Sequence, residues 1–278
     1  DAKLNSDSIN KDRVGVVFAS GIGGINTFQE EVINFAKGDG TPRFNPFFIP
    51  KMILDIAAGH ISMRHGFRGP NFAVVSACAS STNAMMEAFN LIRLGKADII
   101  LTGGAESVVN EAGVGGFNAM KALSERNDSY STASRPYDKD RDGFVMGEGA
   151  EDAAVSTSQV DYINTHGTST PLGDISEIKA IMDVFGEDAF KLNISSTKSM
   201  TGHCLGAAGV IEAIACIMSV RNDLVPPTIN HFTDDPELDS RLNFTFQTAQ
   251  KRTVNAALSN TFGFGGHNAC VIVKKFAS

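Results

Sequence analysis

One cysteine and two histidines stand at separate points of this chain where an apolar run gives way to small or polar residues: Cys78, His166 and His203. Each on its own is ordinary, since a cysteine among alanines is commonly core and a loop histidine commonly structural. Arriving together at strand-loop junctions, they make a nucleophile with imidazoles in reach. Cys78 follows the β-branched run Phe72 to Val75 and precedes a segment with helical periodicity in Met85, Ala88, Phe89 and Ile92. The sulfur is therefore expected at a strand-to-helix turn, facing unpaired N–H groups and the positive end of the helix dipole, which predicts a lowered thiol pKa.

These residues need a scaffold, and the apolar pattern supplies one. Ala97 to Leu101 reads as a strand after the helix, so the first unit is β-Cys-α-β. Upstream, VGVVFA (14–19) is a strand that ends in SGIGG (20–24), a tight turn or pocket wall that lacks full dinucleotide-binding spacing. A helix follows at Phe28, Val32, Ile33 and Phe35, then the proline-marked loop 41–50 and a helix from Lys51 to Arg64. Phe47 and Phe48 suggest a subunit interface or pocket mouth. GVGGF (113–117) and the charged stretch 124–143 read as a long ordered loop whose charges pair with one another and with backbone. FVMGEGA starts an apolar element that residues 150–158 lack the apolar content to continue.

The second half repeats this logic. VDYINTHGTSTPLGD (160–174) is a strand, a loop with His166, and Asp174 placed to cap a helix Ile175 to Phe185, with Glu177 as in a capping-box variant. Residues 192–221 give a strand, a loop bearing Lys198 and His203, and a helix whose Gly206 to Gly209 stretch permits close packing. Residues 254–276 give a strand, a glycine turn with Phe264 at its tip, and a returning strand.

The 278 residues suffice for one large domain or two ordinary ones, with 42% hydrophobic residues to build a core. No apolar run approaches the roughly 20 residues of a membrane span, and the polar start DAKLNSDSINKDR has no signal-peptide core, so a cytoplasmic protein without membrane contact is expected. Four scattered cysteines without CxxC pairs indicate neither a zinc site nor a disulfide framework. A net charge of −7 argues against nucleic-acid binding.

SACASS around Cys78, THGTSTPLGD around His166, STKSMTGHCLGAAG around Lys198 and His203, and NTFGFGGHN around Phe264 resemble the β-ketoacyl-acyl-carrier-protein synthases. RHGFRGP, GGAES, RPYDKDRDGFVMGEGA and VPPTIN resemble the same family, so the likeness covers the chain from residue 13. It implies an α/β protein of the thiolase-like fold, two similar halves in αβαβα layers: residues 1–150 with the nucleophilic cysteine, and 151–278 with the His, Lys and His. Two family segments have no counterpart, one before the first strand and one between Ala150 and about Ser156. Their loss removes central strands and is expected to leave unpaired sheet edges, so the residues are expected to belong to a longer protein.

The resemblance also implies a reaction: decarboxylative condensation of a Cys78-bound acyl chain with malonyl-acyl-carrier protein, adding two carbons. Two histidines resemble the elongating type II enzymes. Initiating enzymes carry asparagine where His203 stands. By the same resemblance, the N–H groups of Cys78 and Phe264 form the oxyanion hole, His166 and His203 donate to the thioester oxygen, and Lys198 supplies positive potential, tied to Asp174 and Glu177. Thr168 and Thr170 bind the phosphopantetheine arm. Ile22 and Phe117 wall the acyl tunnel with Phe264 as gate, and Phe48 reaches it from the partner of a homodimer. Arg43 and Lys121 fall where the acidic carrier protein docks, Asn164, Glu212, Ser259 and Asn260 match a structural cation site, and no cofactor is implied. The alternatives are a polyketide ketosynthase, a thiolase (for which Cys270 is poorly placed), and an inactive chain-length subunit, against which Cys78 itself argues.

Overall fold

The computed structural model describes residues 9–152 and 160–275. The first half runs β1 (Val14–Ala19), α1 (Ile25–Lys37), α2 (Phe48–Met52), α3 (Ile56–His65), β2 (Asn71–Val74), α4 (Ser80–Arg93), β3 (Ile99–Glu106), α5 (Glu111–Ala119) and β4 (Gly149–Asp152). Strands order as β2-β1-β3-β4, with β2, β1 and β3 parallel and β4 antiparallel. Alternation along β1 divides its side chains: Val14, Val16 and Phe18 pack with Ala58 and Ile61 of α3, while Val17 and Ala19 pack with Ala84 and Leu91 of α4. The sheet is thus covered on both faces.

The second half runs β5 (Tyr162–Asn164), α6 (Pro171–Phe185), β6 (Asn193–Ser195), α7 (Lys198–Thr201), α8 (Ala208–Asn222), β7 (Leu224–Val225), β8 (Gln250–Lys251), β9 (Ala256–Gly263) and β10 (His267–Lys274). Its main sheet is β10-β9-β5-β6, with β6, β5 and β9 parallel and β10 antiparallel. Ile163, Ile194 and Leu258 face Ile178 and Ile181 of α6. On the other face Tyr162, Ala257 and Val273 meet Cys216 and Val220 of α8. Between the sheets lie α4 and α8, joined through Met85, Val210 and Ala213. The layers therefore run α3, sheet, α4 with α8, sheet, α6, the five-layer order the resemblance implies.

The sheets contain no unpaired interior edge among the described residues. β1 pairs directly with β3 over six residues, and β5 with β9 over three, so neither sheet shows the unpaired central edge that the loss of strands was expected to leave. The break expected between Ala150 and about Ser156 falls largely on residues 153–159, outside the described residues.

Four local expectations change. The helix expected from Lys51 to Arg64 is split into α2 and α3 because the Met52 carbonyl accepts from Gly24 N–H at 3.1 Å, and a Cβ on Gly24 would stand 2.3 Å from the Lys51 oxygen. GVGGF lies inside α5, not in a loop; Asn110 caps that helix by accepting from Gly113 N–H at 2.7 Å. Helix α6 begins at Pro171, so Asp174 lies inside its first turn and serves a buried arginine instead of a cap. Strand β3 continues to Glu106 because Gly103 and Gly104 pair with Phe18 and Ala19, where a Cβ on Gly104 would meet Ser81 Cβ at 2.8 Å. Leu205–Asn222 is 18 residues with mean hydropathy 1.3, long and apolar enough to cross a membrane by length and composition only. Its apolar character has a core explanation: 61% of it is buried, against both α4 and the second sheet.

Candidate active site

Cys78 occupies a tight turn, Ala77–Ala79, between β2 and α4. Ala77 takes the left-handed region at φ 50, a conformation that costs a non-glycine residue about 1–3 kcal/mol. Ser80 offsets this: its hydroxyl donates to the Ala77 carbonyl at 2.6 Å and accepts from Ser76 N–H at 2.8 Å. Gly263, at the end of β9, lets the second half approach, since a Cβ there would stand 2.6 Å from the Ser76 oxygen.

The approach brings the expected chemistry together. His203 Nε2 lies 3.1 Å from Cys78 Sγ, and the His166 and His203 rings stand 5.2 Å apart at 89°. Cys78, His166, His203, Thr168, Thr170, Asp174, Glu177 and Phe264 line one cavity of about 300 Å³. The Thr168 and Thr170 hydroxyls are 3.1 Å apart on its wall. Phe264 is 52% exposed at the turn between β9 and β10, with Phe117 stacked 6.3 Å behind it.

Each imidazole is held through its backbone. Glu177 accepts from His166 N–H and Gly167 N–H, both at 2.8 Å, so the expected helix cap instead anchors the loop that carries His166. His203 donates its N–H to Val145 O at 2.7 Å and accepts from Gly147 N–H at 3.0 Å. The FVMGEGA stretch is what holds that ring. Phe144 of the same stretch packs edge-on to His203, and Phe262 edge-on to His166. Sequence reasoning assigned no role to either phenylalanine; the RPYDKDRDGFVMGEGA motif was the available signal for Phe144.

Burial dominates the electrostatics. It pushes the Cys78 thiol up to about 11, against the lowering pull of Lys198 and of the N–H groups of Phe264 and Cys78 itself. The expected lowered thiol pKa is therefore overturned: the sulfur is 5% exposed, and desolvation outweighs the helix end. Both imidazoles are held well below their usual value, by burial first and then by Lys198. They are neutral at pH 7. Their Nδ1 atoms are buried without a hydrogen-bond partner among the described residues, which favours the proton on Nε2.

Lys198 is 2% exposed and ion-paired with Glu212 of α8, not with Asp174 or Glu177 as expected. Asp174 instead sits 3.4 Å from Arg141 and accepts from Tyr137 N–H at 3.0 Å. Burial raises Asp174 to about 6, and Glu177 and Glu212 to about 7. Of the residues matched to a cation site, Asn164 and Ser259 are register partners, Glu212 binds Lys198, and Asn260 donates to Glu177 at 3.3 Å. Among the described residues no cluster of three His, Cys, Asp or Glu side chains is suited to a metal ion.

Other expected residues lie outside the cavity. Phe48 stacks on Phe44 at 5.3 Å and on Phe28 at 6.3 Å, and Ile22 sits in a turn bound to Glu106. Arg43 is exposed and pairs with Asp39, and Lys121 is exposed.

Comparison with known proteins decides the family. The family model "Beta-ketoacyl synthase, N-terminal domain" matches residues 1–153, and "Beta-ketoacyl synthase, C-terminal domain" matches 119–232. The chain belongs to the β-ketoacyl synthase family. This synthase is 41% identical to the 3-oxoacyl-[acyl-carrier-protein] synthase 2 of Staphylococcus aureus over 329 residues, covering 99% of the chain and 78% of the relative. The enzyme of the same description from Synechocystis is 38% identical over 328 residues, with the same coverage. Because the alignment with the Staphylococcus aureus relative is longer than the chain, that relative carries residues with no counterpart here. Among solved structures, a type II polyketide ketosynthase in complex with its acyl-carrier protein superposes with TM-score 0.87 at 28% identity, covering 97% of this chain and 79% of that one. A β-ketoacyl synthase from Burkholderia phymatum gives 0.86 at 28% identity, covering 98% and 78%. The synthase fold is thus thiolase-like, as the sequence resemblance implies.

Proposed function

We propose that this synthase elongates fatty acyl chains by decarboxylative condensation between an acyl group on Cys78 and malonyl-acyl-carrier protein. The observation that carries the reading is the placement of Cys78 Sγ 3.1 Å from His203 Nε2, in one cavity with His166. Residues 1–150 supply the thiol and 151–278 the His, Lys and His.

With the thiol raised to about 11, the resting sulfur keeps its proton. As it attacks the acyl thioester, that proton passes to the departing carrier sulfur, leaving acyl-Cys78 and a free carrier thiol while His203 keeps its own proton on Nε2. The N–H groups of Cys78 and Phe264, both directed at the sulfur, hold the tetrahedral oxyanion; one such donor is worth about 10²–10³ in rate. Malonyl-carrier then enters along Thr168 and Thr170. His166 and His203 donate to its thioester oxygen while CO₂ leaves, and the enolate carbon attacks acyl-Cys78, releasing the thiolate and 3-oxoacyl-carrier. Lys198, through its charge, adds to burial in keeping both imidazoles from taking a second proton.

Identity favours the fatty-acid reading over the polyketide one: 41% to the Staphylococcus aureus enzyme against 28% to the polyketide ketosynthase. The partner is an acyl carrier protein received near Arg43 and Lys121. We further infer a cytoplasmic homodimer in which the exposed Phe44, stacked on the half-buried Phe48, lies at the subunit junction. The test is incubation with acyl- and malonyl-carrier followed by mass spectrometry of the carrier. A 3-oxoacyl product two carbons longer is expected from the wild type and none from Cys78→Ser; condensation by the serine variant overturns the assignment.

A further inference from the structure

Glu106 ends β3 as a buried carboxylate with no salt bridge at its oxygens among the described residues. Five donors converge on it instead. Gly21 N–H is 2.6 Å away, Ile22 N–H 3.2 Å, Gly23 N–H 3.3 Å, Ser20 hydroxyl 3.0 Å and Gly206 N–H 3.2 Å. The first four belong to the turn after β1. The fifth lies three residues after His203. Gly21 and Gly206 touch across the carboxylate, for a Cβ on Gly206 would stand 2.2 Å from Gly21 N, and a Cβ on Gly21 would stand 3.2 Å from the oxygen of Ala77, next to the nucleophile.

We infer that Glu106 is a positioning residue of the condensation: its carboxylate pins the Ser20–Gly23 turn to the segments that carry His203 and Cys78, and so fixes how those two stand to one another. A carboxylate is the group that can accept from so many N–H donors at once, since each oxygen offers two lone pairs and it carries no donor of its own. An amide in its place keeps the size and turns one end into a donor facing N–H groups. The turn must then move away from Cys78. A displacement of this kind moves His203 relative to Cys78 and slows acyl transfer whatever the chain length.

This inference rests on the condensing reading, and the experiment separates the two. Single-turnover acylation of Cys78 by carriers loaded with C4 to C16 chains is followed in wild type, Glu106→Gln and Glu106→Asp. Glu106→Gln is expected to lose about tenfold in acylation rate at every chain length, with Glu106→Asp, which keeps the acceptor, restoring part of it. A loss that is the same in both variants and tracks only a fall in melting temperature overturns it. Ser20→Ala, which removes one donor and unfolds less, is expected to lower the rate in the same direction by a smaller amount; wild-type rates in both Ser20→Ala and Glu106→Gln also overturn it. Amide hydrogen exchange reads the pin without any substrate: exchange at Gly21, Ile22, Gly23 and Gly206 is expected to accelerate in Glu106→Gln, and wild-type protection at all four sinks the inference even if the wild type proves inactive.

Discussion

The two sheets are copies of one plan with different cargo. In each, three parallel strands are followed by one antiparallel strand, so β2, β1, β3 and β4 correspond to β6, β5, β9 and β10. After the outer parallel strand the first sheet places Cys78, and the second places Lys198. After the middle strand the first has a glycine turn, and the second has His166. After the inner strand, one ends in the carboxylate of Glu106 and the other in the Phe264 turn. The scaffold decides where a loop projects, and the loop alone decides what chemistry arrives.

That division of labour can be broken cleanly. Cys78→Ala removes the acyl acceptor of the first half and should abolish condensation, a loss beyond 10³-fold, while leaving decarboxylation of malonyl-carrier running on groups from the second half. His203→Ala should lower decarboxylation itself by about 10²–10³-fold. Release of CO₂ from labelled malonyl-carrier distinguishes them; equal loss in both variants would show that the halves do not divide the reaction.

Charge pairing sharpens the contrast. Lys198 and Glu212 are both 2% exposed, so Lys198→Met strands a buried carboxylate and should cost about 3–5 kcal/mol in chemical denaturation. Lys198→Met with Glu212→Gln should recover much of that stability without recovering activity.

The smallest effect concerns pH. Glu177 is raised from 4.5 to about 7 by burial, so between those values the folded state holds a proton that the unfolded state has released. Its contribution is complete below pH 4.5 and lost as pH rises through 7. The melting temperature of wild type relative to Glu177→Gln should accordingly fall between pH 4.5 and 7 and level off above about 8. A difference that is flat over that range would show Glu177 ionised throughout.

The strand-loop junctions carrying Cys78, His166, Lys198 and His203 were legible because apolar runs stopped at glycine and small polar residues. What stayed hidden depended on partners far along the chain. Nothing near Asp174 announces that Arg141 will claim it, nothing near Lys198 announces Glu212 one helix later, and the thiol's pKa turns on how completely β9 and α8 bury it. The glycines of α5 read as loop because their capping Asn110 lies outside the motif. The direct pairing of β1 with β3 and of β5 with β9 was equally unreadable, since it requires only two complementary rows of backbone groups and leaves no mark in side-chain type.

The helix at 205–222 has one more consequence, for the order of events on the ribosome. Its covering partners β9 and β10 are made last, some tens of residues later, at about 5–20 residues per second. For those seconds the nascent chain displays a segment apolar enough for a bilayer with only α4 and β5 in place against it. A chaperone that grips extended apolar stretches should therefore find its main foothold here, and release should coincide with emergence of the final hairpin.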